Sequence, residues 1–301
     1  MTLLDKTLVR LLPAVPKPVV QLFSSRYIAG PTVEDAVDTV RSLNGTGKQA
    51  TIDVLGEEIT SEEEARAIAQ AYRDVLAAIE REQLDSNVSV KLTGLGLDLS
   101  HGLCRENVVS IIDEAQKIGR FVRIDMEDSS TTSRTLDLYR ELREDGYDNV
   151  GVVLQAYMRR TVADIRALAG LQPNVRLCKG IYIESPSIAF RDYDAVRANF
   201  VCALDELKQI DAKIAVATHD EWLIQQALER VAASYERYEF QMLLGVREDR
   251  ASELVREGHP LRVYVPFGEQ WYEYSIRRLQ ENPAMAGTIA RATVGRVFSR
   301  L

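Results

Sequence analysis

Two periodicities of apolar residues alternate along the chain. The first clear unit begins with a short β-branched run at residues 50–55, followed by Gly56. The sequence Thr-Ser-Glu-Glu-Glu at residues 60–64 then predicts a helix start, with a capping hydroxyl and acids in the first turn. Apolar residues next recur every three or four positions, which predicts one buried helix face. They are Ala65, Ile68, Ala69, Tyr72, Val75, Leu76 and Ile79.

The same strand–helix unit recurs along the chain and gives eight pairs. Strand-like runs lie near residues 50–55, 88–92, 121–125, 150–156, 175–179, 213–217, 239–243 and 262–266. Further helical runs lie near 105–118, 131–145, 161–170, 192–210, 220–234, 247–257 and 268–281. The strands are apolar on both faces, as a buried parallel sheet requires. The pattern predicts an α/β protein with a TIM-like (β/α)8 barrel. An open doubly wound sheet is the alternative, although its glycine-rich phosphate loop is missing.

Residues 1–48 precede the first strand. Prolines divide this part into short helices, and the sequence at residues 32–35 predicts a capped helix start. The segment is too short to form its own core. We therefore expect residues 1–48 to form a helical cap and residues 49–301 to form the barrel, as one folding unit.

The composition excludes several classes of protein. Of the 301 residues, 46% are apolar and 27% are charged, which excludes a disordered or fibrous chain. The 45 acidic residues outnumber the 37 Lys and Arg, and the net charge of -8 argues against a nucleic-acid partner. No apolar run approaches the roughly 20 residues of a membrane-spanning helix. With three scattered cysteines and an N-terminus interrupted by charges, we expect a cytoplasmic protein without disulfides.

Polar residues occur at the C-terminal ends of seven predicted strands. Chemistry in a (β/α)8 barrel takes place at this end, so the pattern predicts a polar pocket there. The residues are Lys91, Asp125, Gln155, Arg176, Lys179, His219, Gln241 and Tyr264.

Several of these residues also have a structural explanation. Lys91 could form a salt bridge with an acid on a neighbouring strand, and Asp125 could cap the turn after its strand. Gln155 could satisfy backbone groups inside the barrel, and His219 is as often a bonded core residue as a catalyst. Cys178 is expected to be a small buried apolar side chain.

The last predicted helix carries two adjacent arginines, Arg277 and Arg278. Neighbouring helix positions point about 100° apart, so the two guanidinium groups could hold one carboxylate from two sides. Tyr274 and Glu281 lie three or four positions from both and could hold them in place. An exposed pair on an outer helix is the alternative. Together with Lys91, the pair indicates a pocket for a small anion.

The remaining strand-end residues favour a flavin as the electron acceptor. Asp125 offers a countercharge, and a cationic donor near the flavin ring would stabilise its reduced form. Donors suited to the ring or its phosphates are Gln155, Arg176, Lys179 and His219.

An ordered set of segments between about residues 30 and 283 resembles the proline dehydrogenase family. The order of the segments is more specific than any one of them. Because no aldehyde dehydrogenase segment follows, the chain resembles the stand-alone bacterial form. The segments are residues 51–57, 90–93, 125–129, 154–157, 176–182, 217–220 and 264–268, followed by Arg277 and Arg278.

The resemblance implies a distorted barrel with non-covalent FAD, in which the last helix lies over the C-terminal ends of the strands. It implies hydride transfer from C5 of L-proline to flavin N5, which gives Δ1-pyrroline-5-carboxylate. This reaction is the first step of proline degradation to glutamate, and a quinone would accept the electrons.

The resemblance also implies a role for each site residue. Asp125 and Arg176 would be catalytic, with Asp125 fixing Lys91 and the arginine pair and Arg176 lying against flavin N5. The proline-binding residues would be Lys91, Tyr264, Tyr274, Arg277 and Arg278. The residues that hold the flavin would be Met126, Gln155, Arg176, Lys179, Gly180, Ile181, Thr218 and His219. Ile181 is bulkier than the alanine expected at its position, which affects the shape of the nearby pocket.

Other functions remain open at this point. A Schiff-base aldolase on the same barrel would use Lys91 or Lys179 as its nucleophile. A metal-dependent hydrolase is disfavoured because His101, His219 and His259 are isolated, and no metal site is predicted. A non-catalytic binding protein would leave the ionisable strand ends unexplained.

Residues 284–301 form a net basic, amphipathic stretch. Such a stretch could make peripheral contact with the anionic inner face of a membrane. Packing of a terminal helix is the alternative, and we favour it. The residues behind this pattern are Ile289, Arg291, Val294, Arg296, Val297, Phe298 and Arg300.

Replacing Arg277 or Arg278 by Met should mainly raise KM for proline. Each change removes a charge-assisted hydrogen bond to the substrate carboxylate, which contributes about 1.5–3 kcal/mol. Steady-state kinetics over a wide range of proline concentrations measure the effect. If proline saturates both variants as it does the parent protein, the assignment of the carboxylate site is wrong.

Overall fold

The computed structural model describes residues 26–56, 59–272 and 275. The strands are β1 (Gln49–Val54), β2 (Ser86–Val90), β3 (Val122–Ile124), β4 (Val150–Gln155), β5 (Asn174–Cys178), β6 (Lys213–Ala217), β7 (Tyr238–Leu243) and β8 (Leu261–Phe267). The helices are α1 (Val33–Asn44), α2 (Glu62–Arg81), α3 (His101–Lys117), α4 (Thr132–Glu144), α5 (Thr161–Ala167), α6 (Tyr193–Gln209), α7 (Glu221–Ala227) and α8 (Glu248–Arg256). A 3-10 turn (Ala169–Leu171) follows α5, and a π-helical turn (Leu228–Ala232) follows α7.

The strands form a closed barrel in which each is parallel to its neighbour in chain order. β8 pairs with β1 from Arg262 opposite Gln49 to Phe267 opposite Val54, and this pairing closes the sheet. The predicted (β/α)8 barrel is confirmed, and the open doubly wound alternative is wrong. The predicted strand bounds agree with the observed ones to within two residues. The predicted final helix lies mostly outside the described residues, so its place over the strand ends stays a prediction.

Local signals in the sequence explain where the helices begin. Ser61 caps α2, and its hydroxyl and the Glu64 side chain exchange hydrogen bonds with each other's backbone. Thr32 and Asp35 form the same arrangement at the start of α1, as the sequence predicts. Residues 1–25 of the predicted cap lie outside the described residues, and the division into cap and barrel stays a prediction.

The prediction that the strands are apolar on both faces is wrong: the residues that face the helices are apolar, whereas several residues that face the barrel interior are polar or charged. The apolar layer lies between sheet and helices, and each fully buried aliphatic side chain there contributes about 1.5–3 kcal/mol. Strand residues in this layer include Val88, Val90, Val122, Ile124, Val175, Leu177, Ile214 and Val216. The residues between them on the same strands point into the barrel, and several are polar or charged: Ser89 on β2, Arg123 on β3 and Arg176 on β5. Glu239 of β7 also lies inside the barrel. This polar interior leads directly to the site.

No helix in the described ranges has both the length and the apolar composition to cross a membrane.

Candidate active site

A cavity of about 670 Å³ lies at the C-terminal ends of the strands. Its walls come from residues at or just after β2 to β8. Every predicted site residue within the described ranges lines it: Lys91, Asp125, Met126, Gln155, Arg176, Lys179, Gly180, Ile181, Thr218, His219 and Tyr264. Tyr274, Arg277 and Arg278 lie outside the described residues. A groove of about 700 Å³ also lies on the outside of the barrel, where Arg73 of α2 and Lys117 of α3 contribute to its walls.

Arg176 and Asp125 form a buried ion pair across the barrel. Arg176 Nη1 lies 2.6 Å from Asp125 Oδ1, and Arg176 Nε donates to Gln241 Oε1 at 2.6 Å. The Ser89 hydroxyl and the Tyr264 hydroxyl both donate to Asp125, at 2.9 Å each. Donors and acceptors from five strands therefore converge on one guanidinium and one carboxylate, which holds both rigidly at the cavity wall.

Lys91 belongs to a second ion pair beside the first. Its ammonium lies 2.7 Å from Asp53 Oδ2, 3.4 Å from the Tyr264 hydroxyl and 4.0 Å from Asp125 Oδ2. Among the described residues, the acid nearest to Lys91 is therefore Asp53 rather than the predicted Asp125. The salt bridge to a neighbouring strand that was the structural alternative for Lys91 exists, and Lys91 lines the cavity as well.

Sequence analysis missed Asp53 as a site residue. The side chain is completely buried and also accepts a hydrogen bond from the Tyr72 hydroxyl at 3.1 Å. Burial and the nearby Asp53 raise the pKa of Tyr72 well above its ordinary value, so Tyr72 remains a neutral donor. The signal was present, since Asp53 is the one charged residue in the predicted first strand.

A second charged cluster, centred on Asp220, lines the cavity after β5 and β6. Asp220 accepts hydrogen bonds from Arg197 Nη2 at 2.7 Å and from the Tyr193 hydroxyl at 2.6 Å. Lys179 Nζ lies 3.3 Å from the same carboxylate. Burial alone would raise the pKa of Asp220, but the hydrogen bonds from Arg197 and Tyr193 hold it well below its ordinary range. Asp220 is thus an anion that orders two cations, and its place directly after His219 was the available signal.

Two aromatic rings flank the same cluster. The Arg197 guanidinium lies 4.3 Å from the Tyr193 ring centroid and 5.3 Å from the Trp222 centroid. Tyr193 is 54% exposed and Trp222 is 43% exposed, although both rings line the cavity. Together they offer a planar ligand two rings on which to stack, beside two positive charges.

Two predicted cofactor-binding residues, His219 and Gln155, form hydrogen bonds with the backbone, which was the structural explanation that the sequence allowed for each. His219 Nε2 accepts a hydrogen bond from the Leu243 backbone N–H at 2.9 Å. Gln155 donates to the backbone carbonyl of Glu127 at 2.8 Å and is 3% exposed. Both side chains line the cavity while they hold its walls together.

Gly180 allows the chain after β5 to pass close to an aromatic ring. Its φ is +100°, and a Cβ at this position would lie 2.1 Å from a ring carbon of Tyr157. The loop that follows is tied to the β3–α4 loop, because the backbone N–H and hydroxyl of Ser129 each donate to Glu184 at 2.7 Å. The short segment from Gly180 to Glu184 is therefore held at both ends, by Tyr157 and by Ser129.

The charges of the lining favour an anion. Lys91, Arg176, Lys179 and Arg197 outnumber the lining acids Asp125, Asp220 and Glu221 by one. No group of three His, Cys, Asp or Glu side chains in the described ranges could hold a metal ion. The site can bind acidic groups at fixed positions and offers a rigid guanidinium at its wall.

Comparisons with known proteins agree with this arrangement. The model of a family described as proline dehydrogenase matches residues 36–291. Proline dehydrogenase 1 of Bacillus subtilis subsp. natto is 42% identical over 277 residues, which cover 90% of each chain. Proline dehydrogenase of Deinococcus radiodurans is 34% identical over 275 residues, which cover 89% of each chain.

Longer proteins also match, over part of their length. The bifunctional protein PutA of Escherichia coli is 25% identical over 321 residues, and the match covers 90% of this chain but 24% of PutA. The structure of PutA from Bdellovibrio bacteriovorus inactivated by N-propargylglycine superposes with a TM-score of 0.82 at 24% identity. That match covers 92% of this chain and 36% of the PutA chain, and it shows the same fold.

Replacing Gly180 by Ala should destabilise the protein more than the same change at Gly146. Both glycines have φ near +95°, but a Cβ on Gly146 would meet nothing within 4 Å. Gly146→Ala should thus lower the free energy of unfolding by about 1 kcal/mol, the cost of the backbone conformation alone. Gly180→Ala should lower it by at least about 1 kcal/mol more, because Tyr157 must move. Urea unfolding measures both; equal losses would show that the contact with Tyr157 is unimportant.

Proposed function

The chain belongs to the proline dehydrogenase family, and we propose that it oxidises L-proline to Δ1-pyrroline-5-carboxylate with a non-covalently bound FAD, passing the electrons to a quinone. The family match establishes an oxidoreductase of proline catabolism. The cofactor, the hydride transfer and the acceptor are the parts proposed here. The observation that supports them best is the rigid Arg176–Asp125 pair at the wall of a cavity rich in donors.

The residues of the cavity fit a flavin. Arg176 uses Nε and Nη1 for its contacts, and its Nη2 has no hydrogen-bond partner in the described part of the chain. This nitrogen is available to an acceptor on a ligand. Gly180 lines the cavity with backbone alone, and Lys179 and Arg197, which are both ordered by Asp220, can donate to a diphosphate. When bound, FAD would supply the ring that accepts a hydride.

We assign the cofactor-binding roles as the sequence predicts them. Arg176 would donate to the N5 edge of the ring, and Lys179 would contact the phosphates. Backbone and side-chain groups near them would complete the site: Met126, Gln155, Gly180, Ile181, Thr218 and His219. Ile181 is 41% exposed, so its extra bulk over an alanine can project from the wall. Tyr193 and Trp222 would add rings against which the adenine could stack.

The substrate would bind beside the Arg176–Asp125 pair through its charged carboxylate. Lys91 would attract the proline carboxylate, with Arg277 and Arg278 closing on it, while Tyr264 and Tyr274 would shape the pocket. Asp53 lies 2.7 Å from the Lys91 ammonium and fixes where its charge is offered. Hydride abstraction requires a deprotonated amine and little further acid–base help, so the site needs no catalytic triad.

The structure weakens the case for a Schiff-base aldolase. Lys91 forms an ion pair with the buried Asp53, and Lys179 forms one with Asp220. A Schiff-base nucleophile must attack a carbonyl carbon, whereas both of these amines are directed at carboxylates.

An anaerobic absorbance spectrum tests the proposed function most directly. The purified protein should be yellow, and L-proline should bleach the flavin bands without oxygen. L-Valine, which has the same charges but no ring, should leave the spectrum unchanged. A colourless protein that takes up no added FAD would contradict the proposal, and trapping of a carbonyl substrate by borohydride would favour the aldolase instead.

The quinone acceptor raises the question of membrane contact, for which residues 284–301 are the candidate segment; packing of a terminal helix remains the explanation that we favour for this stretch. This basic stretch lies outside the described residues, so the membrane role rests on its sequence alone. If this stretch contacts a membrane, removing residues 284–301 should weaken binding to liposomes that contain anionic lipid. Binding to neutral liposomes should be the same for the full and the truncated chain. Unchanged binding in a sedimentation assay rejects the membrane role.

A further inference from the structure

Glu239 lies deeper in the barrel than the cavity and is not among the residues that line it. The residue is 7% exposed, and its side chain forms a two-point ion pair with Arg262, with Nε–Oε1 at 3.0 Å and Nη2–Oε2 at 3.2 Å. Arg262 also donates to the backbone carbonyl of Ala50 at 2.7 Å. Glu239 is therefore an anchored carboxylate below the site.

Glu239 also contacts Gln241, two residues along β7. Gln241 donates its Nε2 to Glu239 Oε1 at 2.5 Å and accepts from Arg176 Nε with its Oε1 at 2.6 Å. Burial alone would raise the pKa of Glu239, but Arg262 and the hydrogen bond from Gln241 hold it below its ordinary value. Glu239 is consequently ionised at neutral pH and can only accept hydrogen bonds.

This chemistry leaves Gln241 one orientation. Its amide lies between an acceptor-only carboxylate and a donor-only guanidinium, so only the orientation with Nε2 toward Glu239 satisfies both. If the amide were flipped, its Nε2 donor would face the Arg176 Nε donor. Its Oε1 acceptor would face the acceptor oxygens of Glu239. The carboxylate thus decides which atom Gln241 presents to Arg176.

The orientation of the Gln241 amide in turn fixes the orientation of the Arg176 guanidinium. The guanidinium is planar, and it is held at Nε by Gln241 and at Nη1 by Asp125 and Ser89. With two of its nitrogens held, the plane and the direction of the third, Nη2, are set. Losing the Gln241 contact would leave the group free to rotate about its Asp125 contact.

We propose that Glu239 is a positioning residue that acts through Gln241 to fix the direction in which Arg176 offers its charge to the cavity. The inference rests on the proposed flavin function for its consequence in catalysis. A cation at a fixed place beside the ring stabilises the reduced form, so loosening Arg176 should make the flavin harder to reduce. Glu239 itself touches neither ring nor substrate.

The test is the holoenzyme with Glu239→Gln. A glutamine at this position can donate or accept, so Gln241 loses its single orientation. The equilibrium for two-electron reduction should become about tenfold less favourable, which is a midpoint potential about 30 mV lower in anaerobic titration. The rate constant of flavin reduction by proline should fall by at least about tenfold, while KM changes little, because Lys91 is held by Asp53 instead.

Glu206→Gln is the matched control. Glu206 forms a two-point ion pair with Arg166 on the outer helices, with contacts of 2.9 Å and 2.5 Å. Its loss should leave the potential and the reduction rate at the parental values. If Glu239→Gln does not fold, Glu239→Gln with Arg262→Met removes the unpaired buried charge and is measured in the same way.

The outcomes separate the two proposals. A parent protein without flavin contradicts the proposed function and, with it, this inference. A flavin-loaded parent and a Glu239 variant with the same potential and reduction rate overturn the inference alone, even if the melting temperature falls, because Glu239 would then be structural only.

Discussion

The ion pair between Arg176 and Asp125 is the contact on which the site depends. The two residues lie on β5 and after β3, and Asp125 also accepts from Tyr264 of β8, so the contacts around this pair span the interior of the closed barrel. Both are nearly buried, and an isolated charge at this depth would be strongly unfavourable. The Ser89 and Tyr264 hydroxyls donate hydrogen bonds to Asp125, and Gln241 accepts one from Arg176 Nε, which makes the buried pair tolerable. The geometry of the site therefore depends directly on the fold of the barrel.

The polar interior explains how the fold separates stability from function. Aliphatic residues of the strands face the helices and supply the hydrophobic core, while the alternate residues face inward. At the C-terminal end the inward set includes charged residues such as Arg176, and these do not interrupt the apolar layer on the opposite face of the sheet. A rigid charge array can exist there because rigidity comes from the sheet, to which each charged side chain is attached.

Sequence patterns gave the fold well, for a physical reason. Strand and helix periods are local properties, and eight repeats of one unit leave few architectures that bury every apolar face. The cavity lining could also be predicted, because parallel strands bring their C-terminal ends together. Which side chains pair with each other could not be predicted from the sequence. That Lys91 contacts Asp53 more closely than Asp125 depends on the barrel's register and on the reach of each side chain, and no local pattern encodes either.

The residues that sequence analysis missed share one property: they act on other protein residues. Asp53 holds Lys91, Asp220 holds Lys179 and Arg197, and the carboxylate of Glu239 orients Gln241. A search for groups that meet a ligand looks for exposed chemistry at strand ends, whereas Asp53 and Glu239 are buried behind the cavity lining and Asp220 is paired with cations in it. A buried cation in a low-dielectric wall needs a nearby anion, so the predicted cations Lys91 and Arg176 already imply supporting acids close to them. Asp53 is the one charged residue of the predicted first strand, and the predicted strand next to it carries Lys91, so their proximity follows from the parallel order of the barrel.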